Sequence, residues 1–167
     1  MAVLINGTSL KKCNVNGGTC KKIIVNGENV WRAEYSLVPN TEGVLATDTS
    51  DGGGKWSSNY DDPKWQSDGT LWVYFASGGQ STTVHKTPID VTSYSKITFI
   101  VSSVSGEGEF YMQLGTTTSF SWDEPYDGGT TTGPYDIDLS NINGNRYLIF
   151  RGKSNPGVVF SQIYLEE

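Results

Sequence analysis

Residues 96–114 read KITFIVSSVSGEGEFYMQL, and this stretch decides the fold. Successive side chains of an extended chain point to opposite faces. Ile97, Phe99 and Val101 therefore share one face, while Thr98, Ile100 and Ser102 share the other. Phe110, Met112 and Leu114 repeat the pattern beyond a glycine-rich break. Working outward, strand-like runs fall at 35–38, 43–47, 71–76, 82–86, 96–104, 109–114, 135–139, 146–151 and 158–165. Glycine, proline, aspartate and asparagine separate them. Short strands with turn residues between them predict a two-sheet antiparallel sandwich.

Composition agrees. The chain has 167 residues, enough for one good domain or one domain with a small appendage. It holds 20 glycines, and aromatic and hydroxyl residues are abundant while alanine and leucine are sparse, which favours pleated strands over helices. Lys and Arg total 12 against 18 Asp and Glu, a net charge of −6. That field repels a phosphate backbone, so nucleic acid is not an expected partner. No stretch approaches the roughly 20 apolar residues that span a bilayer as a helix, so membrane insertion is not expected. The first residues, Met1 to Gly7, lack the basic start, apolar run and cleavage site of a secretory signal. Cys13 and Cys20, with one histidine in the chain, make neither a disulfide framework nor a closed zinc site.

The first thirty-odd residues repeat with a period of ten: Ile5-Asn6-Gly7, Val15-Asn16-Gly17, Val25-Asn26-Gly27. Asn-Gly between apolar residues favours a type I′ hairpin turn, which needs positive φ at both central positions. A two-residue loop at Asn16-Gly17 sets Val15 opposite Gly18 and Cys13 opposite Cys20. It also sets Lys11 opposite Lys22 and Lys12 opposite Lys21, and facing like charges destabilise a strand pair. Short hairpins, or a bend of the chain at the Lys-Lys steps, are therefore expected unless a neighbour supplies carboxylates. Residues 1–34 form an antiparallel β-hairpin meander in this reading, and residues 35–167 the sandwich. Isolated hairpins are marginal in water, so the meander is expected to attach or oligomerise the chain, with Trp31 as an apolar anchor.

The decapeptide pattern of residues 3–33, Val-Asn-Gly turns with the lysine pairs Lys11-Lys12 and Lys21-Lys22, resembles segments of phage and prophage tail and appendage proteins. That resemblance implies a virion component, often oligomeric. Residues 88–99 (PIDVTSYSKITF) and 158–165 (VVFSQIYL) resemble a central and a final strand of jelly-roll carbohydrate-binding modules. The resemblance implies a jelly-roll-like sandwich over residues 35–167. Folds of that kind often hold a structural calcium with a carboxylate on the last strand; this chain departs from the pattern with Gln162 there, and no cofactor is assigned.

Chemistry concentrates in two long glycine-rich stretches, 48–69 and 116–134. Loops of this length are usually functional or disordered. The first carries Trp56, Tyr60 and Trp65 among Asp48, Asp51, Asp61, Asp62 and Asp68. The second carries Phe120, Trp122, Asp123, Glu124, Tyr126 and Asp127. Rings beside carboxylates suit a sugar, whose C–H faces stack on an indole while its hydroxyls meet polar groups. Trp56, Tyr60, Trp65, Trp122, Asp123 and Tyr126 are the candidate glycan contacts, and the two stretches are expected to converge. The alternative is that such rings cap the ends of the sandwich as minor core. Trp72, inside a strand-like run, is expected in the core. Asp61-Asp62 and Asp123-Glu124 are adjacent pairs, and neighbours on a strand face opposite ways, so no catalytic carboxylate pair is assigned. The aspartates of the first stretch lack EF-hand spacing, and no metal ligands are assigned. His85 has no nucleophile-elbow partner and is expected to take a structural or surface role. Gly52-Gly53-Gly54-Lys55 lacks the spacing of a phosphate loop.

The sequence thus predicts a non-enzymatic, all-β virion accessory protein, made in the host cytoplasm. It would display a sandwich for host-surface glycans and contact other virion proteins or copies of itself. The alternatives are a purely structural decoration or tail subunit, and a carbohydrate-binding module of a secreted, extracellular polysaccharide-degrading enzyme.

Overall fold

The computed structural model describes the strand backbone at 4–5, 8–9, 14–15, 18–19, 22–25 and 28–32, then residues 35–40, 45, 56–58, 63–75 and 79–167. Three antiparallel pairs come first: β1 (Leu4–Ile5) with β2 (Thr8–Ser9), β3 (Asn14–Val15) with β4 (Gly18–Thr19), and β5 (Lys22–Val25) with β6 (Glu28–Arg32). Val15 pairs with Gly18, the register that a two-residue Asn-Gly loop requires. The third pair slips by one residue between Ile23 and Ile24, which sets Trp31 opposite Ile23 and Lys22 opposite Arg32. The described strands of the first two pairs are two residues long each. The Asn-Gly turn dihedrals, Lys11, Lys12, Lys21, Cys13 and Cys20 lie outside the described residues.

The remaining strands are β7 (Tyr35–Val38), β8 (Trp56–Ser58), β9 (Lys64–Trp65), β10 (Leu71–Tyr74), β11 (Gly79–His85) and β12 (Ile89–Asp90), followed by β13 (Lys96–Ser105), β14 (Gly108–Gly115), β15 (Tyr126–Gly129), β16 (Gly133–Asp138), β17 (Asn145–Ser154) and β18 (Gly157–Glu166). They form two antiparallel sheets. One runs β16-β13-β18-β10-β9, with β7 also on β18; the other runs β15-β14-β17-β11-β8, with β12 also on β17. The protein is an all-β, jelly-roll-like sandwich preceded by hairpins.

The two sheets meet through the side chains that alternation sends inward. Ile97, Phe99 and Val101 of β13 and Val158, Phe160, Ile163 and Leu165 of β18 are buried from one side. Phe110, Met112 and Leu114 of β14 and Leu148 and Phe150 of β17 are buried from the other. The rings of Phe150 and Phe160 touch across the interface with centroids 4.9 Å apart, and Phe99 packs edge-on against Phe160 at 6.2 Å. Each such buried ring stabilises the fold by roughly 1.5–3 kcal/mol. Gly152 makes room for another: a Cβ there would lie 2.2 Å from Cγ of Phe75.

Several sequence expectations need correction here. Leu71 and Val73 point into the core, so Trp72 between them is half-buried on the outer face, 5.7 Å from the Tyr74 ring with the Lys64 ammonium over it. Residues 116–134 are not structureless. They contain β15, whose Tyr-Asp-Gly-Gly sequence carries no strand signal but pairs Gly128 with Tyr111 and Gly129 with Phe110. A Cβ on Gly128 would sit 2.2 Å from the Phe110 carbonyl oxygen, so the absence of a side chain is what permits this edge strand. His85 is buried, with Nδ1 2.9 Å from the Thr87 carbonyl, which accepts a proton-bearing nitrogen.

Three turns share one device. Asp68, Asp90 and Asp138 each accept a backbone N–H two residues on, from Thr70, Thr92 and Ser140. The hydroxyls of Thr70 and Thr92 donate to the same carboxylates. The backbone bond dominates at Asp68 and Asp138 and the hydroxyl bond at Asp90, and each holds its carboxyl below the usual 3.8. A depressed folded-state pKa contributes stability above the unfolded value and loses it as pH falls through the folded one. The melting temperature should therefore fall below about pH 4, and an Asp68, Asp90, Asp138→Asn triple variant should show a smaller acid loss. A pH series of thermal melts checks this.

Candidate functional site

Because Phe110 and Met112 fill the core, Tyr111 and Gln113 between them point out of the second sheet. On β17 the same alternation turns Ile149 and Arg151 outward beside Phe150. Cross-strand register sets Arg151 opposite Tyr111 and Thr82, and Gln113 opposite Ile149 and Tyr126. This outer face is the floor of the candidate site.

The chain leaving β14 folds back over that floor and is clasped by Gln113, which is fully buried. The Gln113 side-chain amide donates to the carbonyls of Ser121 and Glu124, and its oxygen accepts the Ser121 N–H at 3.0 Å. Glu124 closes the loop from the other side by accepting both the N–H and the hydroxyl of Thr116. A buried amide with both ends engaged is costly to disturb, so the loop has one seating.

That seating gathers four rings: Tyr111 from β14, Phe120 and Trp122 from the loop, and Tyr126 from β15. Trp122 meets Phe120, Tyr111 and Tyr126 at centroid distances of 4.9, 5.1 and 5.1 Å, with interplanar angles of 79°, 87° and 77°. These are edge-to-face contacts, each worth about 0.5–1.5 kcal/mol beyond area burial. Trp122 is nevertheless 51% exposed and Tyr126 42%, and they are the large hydrophobic side chains exposed among the described residues. The Arg151 guanidinium lies 4.7 Å from the Phe120 ring centre and 5.1 Å from that of Trp122.

The polar surround is ordered too. The Tyr111 hydroxyl donates to Glu109 at 2.8 Å, and Glu109 also pairs with Lys153 at 3.6 Å. Burial first, then that bond to Glu109, push the Tyr111 hydroxyl above its ordinary pKa of 10.0, so it remains a donor through neutral pH. Asp127 accepts the N–H of Gly128 and that of Asp136, tying the edge strands of the two sheets together. Asp123 is exposed beside Trp122.

Of the candidates named from sequence, Trp122, Asp123 and Tyr126 fall together here. Trp65 does not. It sits on β9 at the edge of the other sheet, opposite Leu71, half-buried against the core. Trp56 is on β8, at the opposite edge of the site's own sheet from β15, with its side chain outside the described residues, as is all of Tyr60. The described parts of the two long stretches thus do not converge, because three strands separate β8 from β15. Phe120 lies in the second long stretch but is not among the glycan contacts expected from sequence, and Tyr111, Gln113 and Arg151 carry no sequence signal for the site. Tyr111 and Arg151 lie between core residues on strands, and only their cross-strand neighbours reveal them. Among the described residues no group of three or more His, Cys, Asp or Glu stands close enough to hold a metal ion. No helix among them is long and apolar enough to cross a membrane.

No protein-family model and no curated protein matches the sequence. Two solved structures show a likeness of strand arrangement. One is a low-affinity xylan-binding module, CBM86, from the gut symbiont Roseburia intestinalis, 14% identical over 67% of this chain and 89% of that one, with a TM-score of 0.43. The other is CsCBM6-3 from Clostridium stercorarium in complex with cellobiose, 15% identical over 66% and 86%, also with a TM-score of 0.43. Both are carbohydrate-binding modules, and no residue is carried over from either.

The clasp generates a prediction. Gln113→Ala should lower unfolding stability by about 1–3 kcal/mol, since it leaves the Ser121 and Glu124 backbone groups without their partner. It should also raise the mobility of Trp122. Denaturant titration and Trp fluorescence anisotropy check both.

Proposed function

We propose that the protein is a non-catalytic glycan-binding sandwich whose contact surface is the Tyr111, Phe120, Trp122 and Tyr126 cluster. The observation that carries this is Trp122, held edge-on by three neighbouring rings while half its surface faces water. Large rings pinned at the surface cost hydrophobic exposure, and a partner that stacks on them relieves it. A saccharide fits because its C–H faces match an indole while Asp123, the Tyr126 hydroxyl and Arg151 surround it with polar groups. The remaining sequence candidates, Trp56, Tyr60 and Trp65, have no part in this surface as proposed.

The setting we propose is a phage virion, with residues 1–34 attaching or oligomerising the chain and residues 35–167 displayed toward host-surface glycans. Support for that setting is the decapeptide repeat and its paired short strands, which are too small to bury a core alone. The second reading, a carbohydrate-binding module of a secreted polysaccharide-degrading enzyme, uses the same ring cluster and is favoured by the jelly-roll-like strand order. A parent gene with a hydrolase domain would select it.

Trp122→Ala should remove about 1–3 kcal/mol of glycan affinity, the magnitude of a central contact, and should lower the melting temperature only by what its three edge-to-face contacts supply, leaving the sandwich folded. A glycan array followed by calorimetry measures it. Loss of thermal stability with no glycan signal would instead make the rings structural and favour a decoration or tail subunit. For the N-terminal segment, mass measurement should find the full chain associated and a chain beginning at Tyr35 monomeric. Two identical monomers would remove the attachment role.

A further inference from the structure

Resting on the glycan reading above, we infer that the saccharide bound at this cluster carries a carboxylate, a uronic-acid unit, and that Arg151 holds it. Arg151 is half-buried on the outer face of β17, against both the Phe120 and the Trp122 ring. A cation–π contact sets the cation over the face of a ring, and a ring offers no oxygen lone pair to the five N–H donors of the guanidinium. The ring contacts therefore hold the group without supplying an oxygen acceptor for its N–H donors. Among the described residues that guanidinium has no hydrogen bond and no ion pair within the protein.

The acids around it are otherwise engaged. Glu109 accepts the Tyr111 hydroxyl and pairs with Lys153. Glu124 is taken by Thr116, and Asp127 by Gly128 and Asp136. Asp123, at the exposed turn, makes no ion pair with Arg151. In a chain with six more acids than bases, a positioned cation left without an acid inside an aromatic surface marks where an outside acid goes. A planar carboxylate accepts two parallel N–H bonds from the guanidinium fork, the geometry that makes this pair both strong and selective. The net charge does not oppose this as it opposes DNA. A uronate carries a single charge per sugar, and at physiological salt distant acids are screened beyond about 8 Å while Arg151 acts at contact.

The test compares native polygalacturonate, alginate and glucuronoxylan oligosaccharides with their carboxyl-reduced forms, in which each –COO⁻ has become –CH2OH on the same backbone. Dextran sulfate is added as an anion without carboxylates. By calorimetry, at least one native uronate should bind about tenfold or more tightly than its reduced form, the size of one charge-assisted hydrogen bond. Arg151→Gln should reduce that ratio to near one while keeping the weaker neutral binding, and Arg151→Lys should restore part of it. Trp122→Ala should weaken both forms. Equal binding of native and reduced forms, still sensitive to Trp122→Ala, overturns the carboxylate inference and leaves the glycan reading standing. Binding to dextran sulfate alone overturns the carboxylate in favour of a sulfated ligand. No binding to any probe overturns the glycan reading and this inference together. The native-to-reduced comparison on the unmodified protein decides the matter even if the Arg151 variants fold poorly.

Discussion

The contact between Phe150 and Phe160, one ring from each sheet at 4.9 Å, is the constraint on which the rest of the sandwich hangs. It fixes which face of β17 and of β18 is inner, because a one-residue slip in either strand would turn every side chain around. Once Phe150 points inward, Ile149 and Arg151 must point outward. The same logic on β14 commits Phe110, Met112 and Leu114 to the core and Tyr111 and Gln113 to the opposite face. The floor of the candidate site is thus the reverse side of the core.

On that floor the ring cluster is a secondary structure of a different kind, built by a loop rather than by a ladder. The clasp at Gln113 supplies what a loop lacks, a buried polar anchor with both ends of its amide engaged. Edge-to-face packing then lets Trp122 be both rigid and exposed. Rigidity matters for binding, since a ring already held in place loses little freedom when a partner arrives. Arg151 extends the argument from shape to charge, because its position is fixed by rings and its donors are not used.

The outer face of the first sheet makes a useful contrast. There Thr98 donates to Asp136, and Lys96 pairs with Glu166 at 2.9 Å and with Asp136 at 3.7 Å, so its cation has its anions within the protein. The Glu166 bond raises the Lys96 pKa. The charges around Lys96 are closed among themselves, whereas Arg151 on the aromatic face has no ion pair among the described residues.

What the sequence determined by itself was everything governed by neighbours along the chain. Period-two alternation at 96–101 and 110–114 gave the strands and their buried faces, and Asn-Gly chemistry gave the register of the paired N-terminal strands. It also singled out Trp122, Asp123 and Tyr126, through ring and acid composition alone. Only the tertiary structure decided the remainder, because each remaining choice depends on a partner far away in the chain. Tyr126–Gly129 is a strand only because β14 offers it an edge, and glycines there let the backbones close. Trp65 packs on the core because β9 pairs with β10, and Trp72 faces out because Leu71 and Val73 face in. Arg151 joined the site only when folding laid β17 beside β14, across 40 residues of sequence from Tyr111. Local pattern tells a side chain which face it takes; what it meets on that face is set by which strand lies alongside.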